Sequence, residues 1–500
     1  MKLFLYGPPA SGKSTYAKSL GAQLGLPVID ADKEIVSLTG KDIPDIFADS
    51  GEVVFRTIEA DVIRSLIAGP DAVISLGGGA LLNPAVRKEV EASGRVVCLK
   101  ADAEILEQRA GNRPGSRPLL NSRPIRELLA ERQAHYASFA RQADINLNNK
   151  TANAIAVQAA FGIYRVSGMG GDYHVIVESG ALGRIREFTE PLALGKHTAV
   201  VCDGNTRRYA ETVAHQLGAS VIEIEAGEEH KTIDAVMRIW QGFLKAGIER
   251  SDTVFAVGGG IVGDLTGFAA ATWLRGVYWV NIPTTLLAMV DSSLGGKTGA
   301  DLPQAKNLIG AFHPPSLVLS DPEVLRTLPE RELRCGTAET IKHAVIDDPE
   351  LFDLLRTGMD PARPDLIARS LAVKVRTICA DPYEKGIRAA LNFGHTIGHA
   401  VEKVSGFTVQ HGEAVAIGLA AETRLAVREG IASAQTLESL LEVLARYGLP
   451  TEIPVSYSRD ELLAALMLDK KKSAGTVKFA VPERIGAVRT GVVFTPPYFD

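Results

Sequence analysis

"KLFLYGPPASGKST", residues 2–15, passes from a short apolar run through a Gly-Pro turn into a Gly-Lys pair and a new helical pattern. Gly7–Thr15 fits G-x-x-x-x-G-K-[ST], directly after a strand and at the opening of a helix. In such a loop, Gly7, Ala10, Ser11, Gly12, Lys13, Ser14 and Thr15 wrap backbone N–H groups around phosphates. Lys13 reaches the β and γ oxygens, and the Ser14 hydroxyl can hold Mg²⁺. The stretch therefore predicts an α/β domain that binds a nucleoside triphosphate.

Outward from the loop, "AVISL" (72–76) and "VVCLK" (96–100) read as further buried parallel strands, and Thr15–Leu24 and Ala85–Ala92 as helices. This is the alternation of a layered α/β domain. Residues 151–164 read as a closing helix and "SGMGGD" (167–172) as a linker. A second βα series starts with "YHVIVESGAL", "TAVVCDGN" and "TVFAVGGG". From about residue 322 strand patterns fade, and helical patterns take over at 331–356, 361–380 and 435–447.

Five hundred residues exceed one ordinary core, so two or three domains are expected. With 46% hydrophobic and 23% charged residues, the composition is that of a globular protein. A formal charge of −5 gives no sign of nucleic-acid binding. No apolar run reaches ~18 residues, so no membrane span is expected, and the N-terminus lacks a signal-peptide pattern. Cys98, Cys202, Cys335 and Cys379 are far apart, as expected of reduced thiols in a cytoplasmic protein.

Near the phosphate loop, "VIDADKEI" supplies Asp30 and Asp32 after a strand, and "GEVVFRTIE" supplies Arg56 and Glu59. "SLGGG" (75–79) ends a strand with glycines that admit a ligand close to the backbone. "RAGNRPGSRPLL" (109–120) suits an arginine lid over a nucleotide. Taken alone, Arg56 and Glu59 read as an i,i+3 surface pair, and Arg132 as a solvated helix residue.

These stretches, in this order over nearly all of residues 1–165, resemble shikimate kinase. The resemblance implies that Asp30 and Ser14 serve Mg²⁺ bound with ATP. It gives shikimate to Asp32, Arg56, Gly78, Gly79 and Arg132, with Asp32 as the base. Arg109 and Arg117 would lie along ATP, Arg117 stabilising the transferring phosphoryl group. Ala10 stands where that family usually has Gly; at φ > 0 it would cost about 1 kcal/mol.

In the second half, "FAVGGGIVGDLTGFAA" (255–270) is a Gly-rich strand-to-helix turn without a clean dinucleotide fingerprint. "CDGN" offers Asp203 and Asn205, and "GEEHK" offers Glu228 and Lys231 on the crevice side of the next strand. The polar loops 283–301 and 306–315 carry Asp291, Lys297, Lys306 and Asn307. Glu339 and Lys342 share one helix face, and "LNFGHTIGHAVEKVSGFTVQHGEAVAIG" (391–418) concentrates three of the ten histidines. Spacing alone selects His395 and His399, at i,i+4, as metal ligands.

From about 172 to 490 the chain resembles 3-dehydroquinate synthase, through GGGIVGD, PTTLLAMVDSS, GGKTG, KNLIGAF, AETIKH, LNFGHTIGHA, HGEAVAIG and DKK. The resemblance implies a different ligand set, Glu339, His395 and His411, for Zn²⁺ or Co²⁺, with His399 turned to substrate. It assigns NAD to Asp203, Asn205, Glu228, Lys231, Gly259, Gly260, Ile261, Asp264, Thr284, Thr285 and Lys306. Arg275, Asp291, Lys297, Asn307, Lys342, Lys374, Arg388, Asn392, His399 and Lys470 or Lys471 would hold heptulosonate phosphate. Among these, Asp291, Lys297, Lys342, Lys374, Arg388 and His399 would be catalytic. The family oxidises a ring carbinol with NAD⁺, eliminates phosphate, returns the hydride and closes a carbocycle by aldol addition. Thr340 and His343 stand where the family more often has Val and Tyr, which bears on substrate fit.

The implied architecture is a P-loop kinase α/β domain (1–165) and a linker (166–172). A Rossmann-like α/β part (173–322) and a mostly α-helical part (323–500) follow. The implied partners are shikimate, ATP and heptulosonate phosphate, with a homodimer through the synthase part, and neither nucleic acid nor membrane. Three alternatives remain: a nucleotide-sensing first domain without transfer activity, or a second half that is a polyol dehydrogenase or another sugar phosphate cyclase. The intact Lys13, Asp32 and Arg56 argue against the first, and the phosphate-binding lysines against the dehydrogenase.

Overall fold

Each of the chain's two units, Met1–Tyr164 and Arg165–Asp500, is built on its own parallel sheet. The computed structural model describes residues 1–111, 124–147, 149–192, 194–302, 305–384, 386–470 and 476–499. In the first unit the strands are β1 (Lys2–Tyr6), β2 (Val28–Asp30), β3 (Ala72–Ser75), β4 (Gly94–Lys100) and β5 (Gln142–Asp144). They pair in the order β2–β3–β1–β4–β5, all parallel. The "KLFLY" run is the central strand because both of its faces find cover. Phe4 and Tyr6 pack with Ile74 and Cys98 on one side. Leu3 and Leu5 pack on the other with Leu20 and Phe161, from the helices Lys13–Leu24 and Lys150–Phe161. The phosphate loop thus leaves the C-terminal edge of the central strand.

The strand β6 (Ile163–Val166) carries the chain across the unit boundary, through the start of the expected linker. In the second unit follow β7 (Tyr173–Val177), β8 (Thr198–Asp203), β9 (Ser220–Ile224), β10 (Thr253–Gly258) and β11 (Tyr278–Pro283). Next come β12 (Lys297–Leu302), β13 (Ala305–Phe312) and β14 (Leu317–Ser320). The parallel order is β7–β14–β11–β10–β8–β9. The helix Gly260–Thr272 opens directly after β10. Within the stretches taken as polar loops, Lys297–Leu302 and Ala305–Phe312 form an antiparallel hairpin, β12 against β13, and Glu228 lies shortly after β9 in a 3₁₀ turn, Glu228–His230.

The last third is a helical layer: Glu330–Asp347, Pro349–Arg356, Pro364–Ala380, His395–Val404, His411–Arg428, Ala434–Arg446 and Arg459–Lys470. It closes with a hairpin that the fading strand pattern did not announce, β15 (Phe479–Arg484) against β16 (Ala487–Val492). Phe479 and Val481 of this hairpin fill the core around Ile397, Ala414 and Leu466. Cys98, Cys202 and Cys335 are buried free thiols, and Cys379 is half-buried. Among the described residues no helix is long and apolar enough to cross a membrane.

Candidate active sites

In the first unit the loop between β1 and its helix turns through three left-handed residues, Gly7 (φ 133°), Ala10 (φ 66°) and Gly12 (φ 85°). The condition under which Ala10 is strained is therefore met. A Cβ at Gly7 would lie 2.8 Å from the Leu99 carbonyl oxygen, so that position admits only glycine. Lys13 Nζ donates to the carbonyls of Gly7 (2.9 Å) and Pro8 (3.0 Å), folding back over its own loop. The Ser14 hydroxyl donates to Asp30 at 2.6 Å and lies 3.3 Å from Ser75 Oγ. Two oxygens suited to Mg²⁺ thus meet at the C-terminal ends of β2 and β3.

Beside them, the acceptor-side residues converge on the Gly77–Gly79 turn. A Cβ at Gly77 would meet Glu59 at 2.6 Å and Asp32 at 3.2 Å; one at Gly79 would meet the Arg56 guanidinium at 2.5 Å. Arg56 donates to Glu59 at 2.6 Å, but Glu59 is only 3% exposed, so this is not the surface pair its spacing suggested. Burial pushes the Glu59 carboxyl above its usual range, with Arg56 pulling the other way. Arg132 is buried as well, donating to the Gly78 carbonyl at 3.4 Å, so the solvated reading fails. Tyr136 (2.8 Å) and Tyr6 (3.2 Å) donate to the same carbonyl, two residues that sequence reading missed. Arg109 donates to the Ile145 carbonyl. Arg117 and Lys471 lie outside the described residues, as do the side chains of Asn307 and Lys470.

In the second unit Glu339, His395 and His411 come together from three helices, their donor atoms all within 4.8 Å of one another. Glu339 Oε1 faces Nε2 of His411 at 3.2 Å and Nε2 of His395 at 3.4 Å. Nδ1 of His395 is 3.2 Å from the Phe393 carbonyl, and Nδ1 of His411 is 3.4 Å from Glu402. An N–H on each Nδ1 satisfies those acceptors and turns both Nε2 lone pairs inward, toward a carboxylate. Three electron-rich atoms aimed at one point repel unless a positive charge lies between them. In the protein alone a proton answers: burial lowers His411, but Glu339 and Glu402 outweigh it and raise its pKa to about 10. The donor set fits a divalent cation taking N and O ligands, Zn²⁺ foremost. His399, which spacing favoured, is exposed, its ring 5.3 Å from that of His395 and 6.2 Å from that of His411.

Glycines set these distances. A Cβ at Gly418 would fall 1.8 Å from the Gly394 carbonyl oxygen, and one at Gly412 would fall 2.2 Å from Cys335 Cα. The helices bearing the ligands therefore touch backbone to backbone, which only residues without a side chain permit. His411 is also pinned by its helix start. Gln410 and Glu413 form a reciprocal capping box, and Arg331 grips Glu413 and the Thr408 carbonyl.

Against this trio lies a buried charge cluster. Lys342 is 2.5 Å from Glu339 and 3.8 Å from Asp291, and Lys374 donates to the Asp291 carboxylate (2.7 Å) and carbonyl (2.6 Å). Asp291 sits in a π-helical turn, Ala288–Ser292, a feature common at functional sites. Burial pushes Asp291 up, yet Lys374 and Lys342 hold it well below the usual carboxylate range. Burial and the neighbouring Lys342 charge together push Lys374 down, against the lift from Asp291. His343, fully buried, has Nδ1 2.8 Å from Ser370 Oγ, while its Nε2 lies 3.6 Å from Asp291, just beyond hydrogen-bond reach. At the rim, Glu384 bridges Lys297 (2.8 Å) and Asn392 (3.0 Å), while Arg388 is buried beside Gly295. Arg275 is exposed in a left-handed turn, φ 69°.

The crevice at the end of β10 has Gly259, Gly260, Gly263, Asp264, Ser292, Ser293 and Lys297 on its walls. A Cβ at Gly260 would come within 3.0 Å of Ser292 Oγ. Lys231, buried, pairs with Asp264 at 2.7 Å, and Lys306 with Glu228 at 3.1 Å. Asp203 is held at the end of β8 by the Thr206 N–H and hydroxyl, with exposed Asn205 beside it. Thr284 is buried after β11, Thr285 caps the turn leading to Asp291, and Ile261 follows Gly260 in the helix.

Residues 221–335 and 336–472 match the family models described as 3-dehydroquinate synthase N-terminal and C-terminal, and residues 9–160 match shikimate kinase. The chain is 45% identical over 332 residues to the 3-dehydroquinate synthase of Synechocystis, covering 63% of this chain and 92% of that one. The Nostoc punctiforme synthase is 44% identical with the same coverage. Among solved structures, 2-epi-5-epi-valiolone synthase from Streptomyces hygroscopicus, with NAD⁺ and Zn²⁺ bound, superposes with a TM-score of 0.60 at 31% identity. That match covers 67% of this chain and 96% of that one.

Proposed function

Because the chain belongs to the 3-dehydroquinate synthase family and carries a shikimate kinase domain ahead of it, we propose that it is an enzyme with two separate reactions. The first unit transfers the γ-phosphoryl group of ATP to the 3-hydroxyl of shikimate. The second converts 3-deoxy-D-arabino-heptulosonate 7-phosphate to 3-dehydroquinate and phosphate. The observation that carries the reading is the convergence of Glu339, His395 and His411 beside the buried Lys342–Asp291–Lys374 cluster. The kinase domain makes the chain a bifunctional enzyme of the shikimate pathway.

In the kinase unit, phosphate oxygens would replace the Gly7 and Pro8 carbonyls as acceptors for Lys13. Mg²⁺ bound with ATP would lie against Ser14 and Asp30. Arg56 and Arg132 would pair with the acceptor carboxylate, and Asp32 would take the hydroxyl proton. In the synthase unit, Lys297, Asn392 and Arg388 would hold the two anionic ends of the substrate. Asp291, kept ionised by Lys374 and Lys342, would accept a substrate hydroxyl, and His399 would hold or move a proton next to the ligand trio. When bound, NAD⁺ supplies reversible hydride acceptance, and Zn²⁺ or Co²⁺ on Glu339, His395 and His411 polarises the carbinol oxygen. A homodimer and a cytoplasmic location belong to the same proposal, on resemblance alone.

The test is phosphate release from the heptulosonate phosphate with NAD⁺ far below substrate, with and without a chelator. Release beyond one equivalent per NAD⁺, lost on chelation, supports the synthase reading; none from metal-loaded protein overturns it. ATP-dependent phosphorylation of shikimate by the same preparation tests the kinase half.

A further inference from the structure

The helix His395–Val404 begins without a cap of its own. Gly394, at its N-terminus, is left-handed at φ 80° and offers no side chain, so the first N–H groups must find acceptors elsewhere. They find them on the neighbouring helix. Glu422, with no exposed surface, accepts from the Gly394 N–H at 2.7 Å through one oxygen and from the Ile397 N–H at 2.9 Å through the other. Both oxygens are spent on the backbone that flanks His395. The positive end of the helix dipole faces the same side chain.

Glu422 belongs to the helix that His411 starts, one turn beyond Gly418, whose Cα rests on the Gly394 carbonyl. One carboxylate thus locks the axial position and rotation of the His395 helix against the His411 helix. We infer that Glu422 is a positioning residue for the metal trio: it does not touch the metal, but fixes where His395 Nε2 stands relative to His411 and Glu339. Packing of the glycines sets how close the two helices come; Glu422 sets their register.

The inference rests on the metal reading above, and its test keeps the two apart. Full-length wild type, E422Q and E422A would be titrated with Co²⁺ against a competing chelator, and the visible d–d bands recorded. Outer residues that orient ligands cost about 10–100-fold in metal affinity. E422A is expected to bind Co²⁺ at least ~10-fold more weakly with shifted bands. E422Q, which keeps one acceptor but turns an amide N–H₂ toward a backbone donor, should lie between. Should E422A fail to fold, E422Q decides alone. Wild-type affinity and bands in a folded variant with a lowered melting temperature would overturn the inference, leaving Glu422 a helix cap only. A wild type that takes up no Co²⁺ would overturn the metal reading and this inference together.

Discussion

Gly418→Ala is a single-methyl perturbation with a large predicted effect. The added Cβ would stand 1.8 Å from the Gly394 carbonyl oxygen, 2.7 Å from its carbon and 3.0 Å from the Gly398 nitrogen, all backbone atoms. No side chain can swing aside, so the helices must part by 1.2 Å merely to reach 3.0 Å, the closest approach real Cβ atoms show. Metal–ligand distances tolerate about 0.2 Å. The displacement is several times that tolerance, and it acts between the helices of His395 and His411. Overpacking costs about 1–3 kcal/mol, offset by about 1 kcal/mol from alanine's better helix propensity. The unit should therefore melt a few degrees lower, while metal affinity falls by at least ~10-fold and synthase turnover falls with it. Chelator competition on the full chain gives the affinity, and shikimate phosphorylation checks that the first unit is folded. Gly183→Ala, with nothing within 4 Å of its added Cβ, is the control and should change stability by under about 0.5 kcal/mol. A G418A protein with wild-type affinity and turnover would refute the argument that backbone contact sets the ligand spacing.

Ala10→Gly should stabilise the first unit by about 1 kcal/mol, because Ala10 is held at φ 66°; an unchanged or lower melting temperature would count against strain at that residue. Tyr136→Phe removes one donor from the Gly78 carbonyl and should raise the KM for shikimate a few-fold with little change in kcat, a loss of about 1 kcal/mol. Asp252 carries the pH dependence. Burial raises its carboxyl, but the N–H groups of Glu249, His197 and Lys196 more than offset this and hold it below its usual range. A lowered folded-state pKa contributes stability above the unfolded value near pH ~4 and loses it as pH falls through the folded one. Asp252→Asn should thus cost about 2 kcal/mol at pH 7 in chemical denaturation, with the gap to wild type closing below pH ~4.

The chain states its local structure plainly. "KLFLYGPPASGKST" could be read as strand, phosphate loop and helix because the apolar run, the glycines and the Lys-Ser pair act over a few residues. The hairpins β12–β13 and β15–β16 were missed because their pairing is made across partly polar faces, which alternation does not mark. For the ligands, periodicity selected His395 and His399, since along one helix only residues three or four apart are brought together. The grouping of His395 with His411 is made between helices, and there the resemblance to a family carried information that spacing lacked. Glu402, Glu422, Tyr136 and Ser370 were illegible for the same reason: an acid or hydroxyl on a helix face looks alike whether it meets water or a neighbour's backbone. The sequence by itself determined which elements form and which atoms can bind phosphate or a cation, because those follow from chemistry within a few residues. The tertiary structure decided which of those atoms face one another. Metal coordination depends on distances between helices, and here these are set by glycine backbones in contact across the core.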